Sequence, residues 1–323
     1  MTDPILIIDD LHIEFRGKHR DDHIRAVDGI SLSLLPGEVL SLVGESGCGK
    51  TTTANAVLGL TPLTSGHISV GGIDIASADR KQMKVARSNM QMIAQDPYES
   101  LNPRMIIEDI VTEPLVVHGH REDLRQRALE ALASAGLTPP EEFIERRPHE
   151  LSGGQRQRVV IAAALSIDPV LLIADEPVSM LDVSVRAGIL NLLKHLAEKK
   201  GIGVLMITHD LATVAAYSDR IAVMYLGKIV ESGPTLEIIA NPEHPYTRAL
   251  LSVVPNHDPT VKSEPTLLVG ETPDASNIPS GCRFHPRCPS VFEPCSQTEP
   301  ELLRTSADRT CACLLYAEIS SPA

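Results

Sequence analysis

The chain has no tryptophan, and aromatic residues make up only 3% of its 323 residues. A surface built to stack nucleic-acid bases is therefore not expected. Positive charge is also in the minority, with 29 Lys and Arg against 42 Asp and Glu, a formal net charge of −13. A generic nucleic-acid binder carries the opposite balance. Long apolar runs are missing. The longest candidate, residues 159–174, is interrupted by Asp168 and Pro169 and falls short of the roughly 18 residues that span a bilayer. The opening MTDPILIIDD is acidic and has no basic stretch followed by an apolar core, so no secretory signal is read there. The expectation is a cytosolic protein that docks on a membrane only through partners. Cysteine is almost absent from the body of the chain, where Cys48 stands alone, whereas Cys282, Cys288, Cys295, Cys311 and Cys313 crowd its end. In a reducing compartment such crowding reads as a metal site before it reads as a disulfide framework. Hydrophobic residues at 43% and charged residues at 22% mark a folded protein, sized for one large α/β domain with an appendage or for two ordinary domains.

What is present is ordered along the chain. LIIDDLHIEF and IRAVDGISLSLL read as β structure, with a polar connector from Arg16 to His23 between them. EVLSLV (38–43) reads as a short buried strand after the Pro36-Gly37 turn. A glycine-rich turn and a helix over 50–60 follow. HISVGGIDI (67–75) reads as a hairpin with Gly71-Gly72 at its tip. Further strands are expected at 89–95, 170–174 and 204–209, and a hairpin in RIAVMYLGKIV. Between Ile106 and Arg147 the periodicity turns helical and charged, which suggests a helical subdomain. From about Pro242 the chain becomes rich in proline and turn residues.

Gly44-Glu45-Ser46-Gly47-Cys48-Gly49-Lys50-Thr51 matches G-x-x-x-x-G-K-[ST] between an expected strand and an expected helix. Glycines let backbone N–H groups wrap phosphate oxygens, and the helix N-terminus adds a favourable dipole. Lys50 supplies charge to the β and γ phosphates, and the Thr51 hydroxyl can ligate Mg²⁺; Thr52 is counted with the loop as nucleotide-binding. LLIADE (171–176) is an apolar strand ending in two acids. Asp175 is expected to hold the Mg²⁺ shell and Glu176 to polarise the attacking water. His209, after the strand VLMIT, is expected to orient Glu176 and that water. Cys48, at a helix N-terminus, is either a thiol of lowered pKa or a small filler.

Leu151-Ser152-Gly153-Gly154-Gln155 narrows the reading. With this string the sequence resembles the ATP-binding-cassette (ABC) ATPases over essentially residues 1–240. The supporting motifs run in order: the 44–51 loop, Gln95 at a strand end, LSGGQ, 171–176, Ser179-Met180-Leu181-Asp182 and His209. The resemblance implies an α/β P-loop NTPase fold: a RecA-like core with an antiparallel β subdomain and an inserted helical subdomain at about 98–160. It also implies ATP and Mg²⁺ as ligands, with Thr51, Gln95 and Asp175 about the metal. Two cassettes are implied to pair head to tail, each ATP lying between one P-loop and the partner's Ser152, Gly153, Gly154 and Gln155, with Asp182 communicating across the pair. Phe15 is the candidate to stack on adenine; a core role for it is the alternative.

QDPYESLNPR (95–104) and NPEHPYTRALL (241–251) resemble the oligopeptide/dipeptide/nickel importer ATPases, and the former looks more like the second of the two ATPase subunits such importers use. The resemblance implies a second cassette subunit, with a heterodimer favoured over a homodimer. It further implies two transmembrane permeases, an extracytoplasmic solute-binding protein acting indirectly, no nucleic acid, and a place on the cytoplasmic face of the membrane. Another cargo, or a soluble non-transport ABC protein, are the alternatives. Residues 241–323 form the Cys-rich tail. Its spacing C-x5-C-x6-C-x17-C suits zinc or iron–sulfur. The resemblance implies a [4Fe–4S] cluster on Cys282, Cys288, Cys295 and Cys313, with Cys311 competing for the last place.

Overall fold

The computed structural model describes residues 3–17, 23–253, 268, 270 and 273–316. Part of the connector read at 16–23, and much of the tail at 254–267 and 317–323, lie outside the described residues.

Strands β1 (Leu6–Arg16) and β2 (His23–Leu34) open the chain, followed by β3 (Val39–Val43) and helix α1 (Lys50–Val57). The hairpin β4 (Ser65–Val70) and β5 (Ile73–Asp74) turns at Gly71-Gly72, where both glycines take positive φ, as a two-residue hairpin loop demands. Helix α2 (Arg80–Asn89) is started by a capping box between Asp79 and Gln82 and leads into β6 (Met90–Ile93). The helical stretch contains α3 (Pro97–Ser100), α4 (Ile107–His118), α5 (Leu124–Ser134) and α6 (Gly153–Leu165). Then come β7 (Leu171–Asp175), α7 (Val183–Lys200), β8 (Gly203–Thr208), α8 (Leu211–Tyr217), β9 (Arg220–Tyr225), β10 (Lys228–Pro234), α9 (Thr235–Ala240) and α10 (Pro245–Ser252). The described part of the tail ends with two short strands, β11 (Leu303–Arg304) and β12 (Thr310–Cys311).

Two sheets result. The smaller is antiparallel, in the order β2-β1-β4-β5; the larger has the order β11-β12-β10-β9-β3-β8-β7-β6. Its centre, from β9 to β6, is parallel. Strands β3, β7 and β8 are buried at every position. That is why they read as continuous apolar runs rather than alternating ones. One core cluster joins Leu6, Ile8, Ile13 and Ile68 of the small sheet to Leu40, Leu42 and Ile207 of the large one. A second joins the opposite face, through Val204 and Met206, to Ile110, Leu132, Ile161 and Leu193 of the helices. Among the described residues no helix is long and apolar enough to cross a membrane.

The tail is not a pendant. β12 continues the large sheet, pairing Glu231 with Cys311 and Ser232 with Thr310. Tyr225 of β9, Tyr246 of α10 and Phe284 form an aromatic cluster with ring centroids 4.7–5.3 Å apart, all buried. Three tail arginines reach cassette acids: Arg283 to Asp28, Arg287 to Glu45 and Arg309 to Glu231. Glu231 is fully buried and also accepts from the backbone N–H groups of Glu243 (2.9 Å) and His244 (3.0 Å). Removing one member of such a pair leaves a charge stranded in low dielectric. Arg309→Ala is accordingly expected to destabilise the chain by about 3–5 kcal/mol. Urea unfolding followed by far-UV dichroism checks this; an unchanged midpoint would show that the Glu231 pair contributes little.

Candidate nucleotide site

Strand β3 delivers the glycine-rich loop to the C-terminal edge of the parallel sheet, where open α/β sheets bind ligands. Two glycines are required there by close approach. A Cβ at Gly44 would lie 2.2 Å from the Met224 carbonyl oxygen, and one at Gly49, whose φ is +110°, would lie 2.3 Å from that of Ala26. The loop is thus pressed directly on the backbones of β9 and β2. Gly49 caps α1, whose N-terminus opens into the cavity. Lys50 is buried and donates to the carbonyl oxygens of Gly44 (2.7 Å) and Glu45 (2.9 Å). The cavity above holds about 730 Å³ and is lined by Gly44, Glu45, Ser46, Gly47, Gly49, Lys50, Thr51 and Thr52 together with Gln95, Asp175, Glu176 and His209. That volume suits a nucleotide-sized ligand.

The acidic side of the cavity is held more tightly than the sequence suggests. Asp175 ends β7 and is buried; burial pushes its pKa up, opposed by a hydrogen bond from the Thr51 hydroxyl, while neighbouring Glu176 pushes it up further. A buried carboxylate beside a second acid is unfavourable until a cation joins it. Asp175 and Thr51 offer the hard oxygen donors that Mg²⁺ accepts. Glu176 takes a left-handed backbone conformation, φ +44°, which costs a non-glycine residue about 1–3 kcal/mol. Its N–H bonds to Ile207 O (2.9 Å), and its carbonyl accepts from the Ser179 N–H and hydroxyl (both 3.2 Å). The turn aims its carboxylate between two partners: Gln95 donates from Nε2 to Oε2 (3.1 Å), and His209 Nδ1 lies 2.8 Å from Oε1. Two side chains from separate strand ends therefore orient one carboxylate.

Other candidates sit elsewhere. Ser152 caps α6 in a reciprocal box with Gln155, the two bonds measuring 3.3 and 3.0 Å. The helix begins at Gly153. A Cβ at Gly154 would meet Val185 at 2.4 Å, so this glycine lets α6 approach α7. Ser152, Gly153, Gly154 and Gln155 do not border the cavity of their own chain, and neither does Asp182, which caps α7. Phe15 does not border it either: it stands on β1, 42% exposed, opposite Ile24, and the wall there is formed by Ile24 and Ala26 of β2. Cys48 is packed beneath the loop. Burial pushes its thiol up, outweighing the charge of Lys50, so of the two readings the small buried filler is the one that fits. The tail contributes wall residues the sequence did not flag: Leu250 of α10 and Ala275. No signal in the sequence distinguishes either from an ordinary packing residue.

The iron–sulfur expectation is also corrected. Among the described residues no group of three or more His, Cys, Asp or Glu side chains is arranged to hold a metal ion. All six cysteines are free thiols. Cys282, Cys288, Cys295 and Cys313 face a void of only about 10 Å³ bordered by Phe284, Phe292 and Leu314, at the limit of what admits one water. Burial raises the thiols of Cys282, to about 11, and of Cys288 and Cys313. Cys311 is buried in the β12 pairing. Among the described residues the tail is held without a metal centre. Strand pairing, the aromatic cluster and the arginine pairs tie it down instead.

The comparisons agree with this geometry. A sequence model of the family described as "ABC transporter" matches residues 27–179, and one described as "Oligopeptide/dipeptide transporter, C-terminal region" matches residues 230–295. The oligopeptide transport ATP-binding protein OppF of Escherichia coli (strain K12) is 47% identical over 296 residues, covering 90% of this chain and 88% of that protein. The putative oligopeptide transport ATP-binding protein YkfD of Bacillus subtilis (strain 168) is 44% identical over 319 residues, covering 97% of this chain and 96% of that protein. Among solved structures, the dimeric post-hydrolysis state of the ATP-binding cassette MJ0796 bound to ADP and Pi is 30% identical with a TM-score of 0.63, covering 71% of this chain and 98% of that one. CbiO1 from Clostridium perfringens, part of the transporter complex cbiONQ, is 30% identical with a TM-score of 0.65, covering 74% of this chain and 92% of that one. With the fold, the phosphate-binding loop and the relatives in agreement, the chain belongs to the ATP-binding-cassette ATPases, in the branch of the oligopeptide transport ATP-binding proteins.

Proposed function

We propose that this chain is the ATP-hydrolysing subunit of a membrane importer of oligopeptides or dipeptides. The observation that carries the reading is the convergence of Lys50, Thr51, Gln95, Asp175, Glu176 and His209 on one cavity at the mouth of the loop. The peptide cargo rests on the similarity of residues 230–295 to the oligopeptide/dipeptide transporter tail and on the relatives named for oligopeptide transport.

In this reading residues 1–240 are the nucleotide-binding domain, with a helical subdomain at about 98–160, and 241–323 are the transporter-specific tail. The loop N–H groups and Lys50 hold the β and γ phosphates. Lys50 exchanges its bonds to the Gly44 and Glu45 carbonyls for phosphate oxygens as the nucleotide enters. Thr51, Asp175 and Gln95 would hold Mg²⁺, which would supply positive charge to offset that of the phosphates. Glu176 polarises the attacking water, and Gln95 and His209 hold Glu176 on the line of attack. Most of the catalytic effect is positioning and electrostatic stabilisation. Ser152 and the N–H groups of α6 complete the site of a second cassette in a head-to-tail pair, Asp182 lying at the contact. This fits their distance from the cavity of their own chain. A related cassette as partner, making a heterodimer, fits the QDPYESLNPR string. Two permeases and, indirectly, a solute-binding protein complete the importer, with this subunit on the cytoplasmic face of the membrane.

Glu176→Gln is expected to lower the ATP turnover of the assembled importer by on the order of 10²–10⁴ while nucleotide still binds; a variant that hydrolyses normally would remove Glu176 from its role. Gln95→Ala, which takes away one of the two bonds holding that carboxylate, is expected to lower turnover about tenfold. Steady-state kinetics beside equilibrium nucleotide titration distinguishes the two effects. The cargo is tested by ATP-driven uptake of labelled peptides into proteoliposomes carrying the complete transporter. Uptake of peptides is expected. Uptake of a metal ion or a sugar with peptides excluded would overturn the cargo but leave the ATPase standing.

A further inference from the structure

Glu45 is an oddity in a loop that receives polyphosphate. It lines the cavity and brings an acid to a loop whose ligand carries like charge. Each of its polar groups is engaged, and two are engaged by the tail. Its carboxylate takes both guanidinium nitrogens of Arg287, Nη1 to Oε2 at 2.7 Å and Nη2 to Oε1 at 3.1 Å. Its N–H donates to the hydroxyl of Tyr246 at 3.0 Å. Its carbonyl accepts from Lys50. Arg287 is 7% exposed at its side chain and also reaches the Tyr225 hydroxyl at 3.5 Å. Tyr246 is fully buried, and burial keeps its phenol protonated. Leu250, on the same helix as Tyr246, lines the cavity, as does Ala275.

The other two tail arginines fasten elsewhere. Arg283 meets Asp28 on β2 and Arg309 meets Glu231 on β10, and neither acid lines the cavity. Arg287 is therefore set apart by its partner: fastening alone did not require an acid inside the phosphate-binding loop. A bidentate arginine pair fixes orientation as well as charge. We propose that the tail is a working part of the nucleotide site, Arg287 cancelling the charge of Glu45 and, with Tyr246, setting the main-chain position of the loop so that it accepts polyphosphate. Arg287 and Tyr246 are positioning residues in this scheme, since both act through Glu45. One consequence is that any event that shifts the Cys-rich segment carrying Arg287 alters ATP affinity before it alters the chemical step.

The proposal rests on the reading of 44–51 as a nucleotide site, and the experiment separates the two. Binding of Mg-ADP to the full chain is titrated for wild type, Arg287→Gln, Arg287→Lys and the double variant Glu45→Gln/Arg287→Gln, with ATP turnover measured in parallel. Wild type that binds no nucleotide would overturn the underlying reading. Given wild-type binding, Arg287→Gln is expected to weaken affinity about tenfold and raise KM for ATP with kcat within about twofold. Arg287→Lys keeps the charge without the two-point grip and is expected to bind about threefold more weakly than wild type, and the double variant is expected to bind more tightly than Arg287→Gln, because it removes the unpaired carboxylate. An Arg287→Gln protein that binds like wild type, or a double variant as weak as the single one, would reduce Arg287 to a fastener and overturn the proposal. Should Arg287→Gln not fold, the lysine and double variants carry the test. Lysine-variant affinity within about threefold of wild type, with the double variant folded and binding nucleotide, supports it, and a roughly tenfold loss in the lysine variant overturns it.

Discussion

The shape of the phosphate-binding loop depends on backbone meeting backbone. Gly44 lies against the Met224 carbonyl and Gly49 against that of Ala26, at separations no Cβ tolerates. With the loop seated on β9 and β2 in this way, its position follows from the sheets, and through them from the core cluster that welds those sheets together. Lys50, Thr51 and the start of α1 are then delivered to the cavity with little freedom of their own. The same sheet edge delivers Asp175 and Glu176 from β7 and His209 from β8, because parallel strands end their carboxyl termini on one side. The site is thus a property of strand order, to which each strand end adds one or two side chains.

Charge is organised around this edge as well. A chain with net charge −13 has to keep acids from opposing a polyanionic ligand. It does so by pairing them at short range. Asp28, Glu45 and Glu231 each meet a tail arginine whose side chain is under a tenth exposed, and Glu176 is bracketed by Gln95 and His209. Asp175 is the acid whose pKa is displaced upward by burial, and it stands where a cation would join the phosphates. The left-handed backbone of Glu176 is held by hydrogen bonds on both sides of the residue, so its cost is carried by the surrounding turn.

Much of this was legible from residue patterns. Continuous apolar runs announced β3, β7 and β8, and the Gly71-Gly72 hairpin was found where two glycines interrupt two apolar segments. Lys50, Gln95, Asp175, Glu176 and His209 were each singled out beforehand and share one cavity. The tail was the opposite case. Its motif was read for its cysteines, which carry no metal arrangement among the described residues, while Arg283, Phe284 and Arg287, standing between those cysteines, hold the tail to the cassette. An arginine is mostly a surface residue, and nothing local marks the three whose partners lie 255, 242 and 78 positions away.

The difference is one of range. Strand, turn, helix start and phosphate loop are written in contiguous residues because each is satisfied by neighbours a few positions distant: a capping oxygen, a left-handed glycine, an alternating or unbroken apolar face. These were settled by the order of amino acids alone. Which acid meets which arginine, whether thiols face a ligand or an apolar void, and which tail side chains wall the nucleotide cavity depend on surfaces brought together from distant parts of the chain. Burial then sets their charge states, and burial exists only after the sheets, helices and tail have packed.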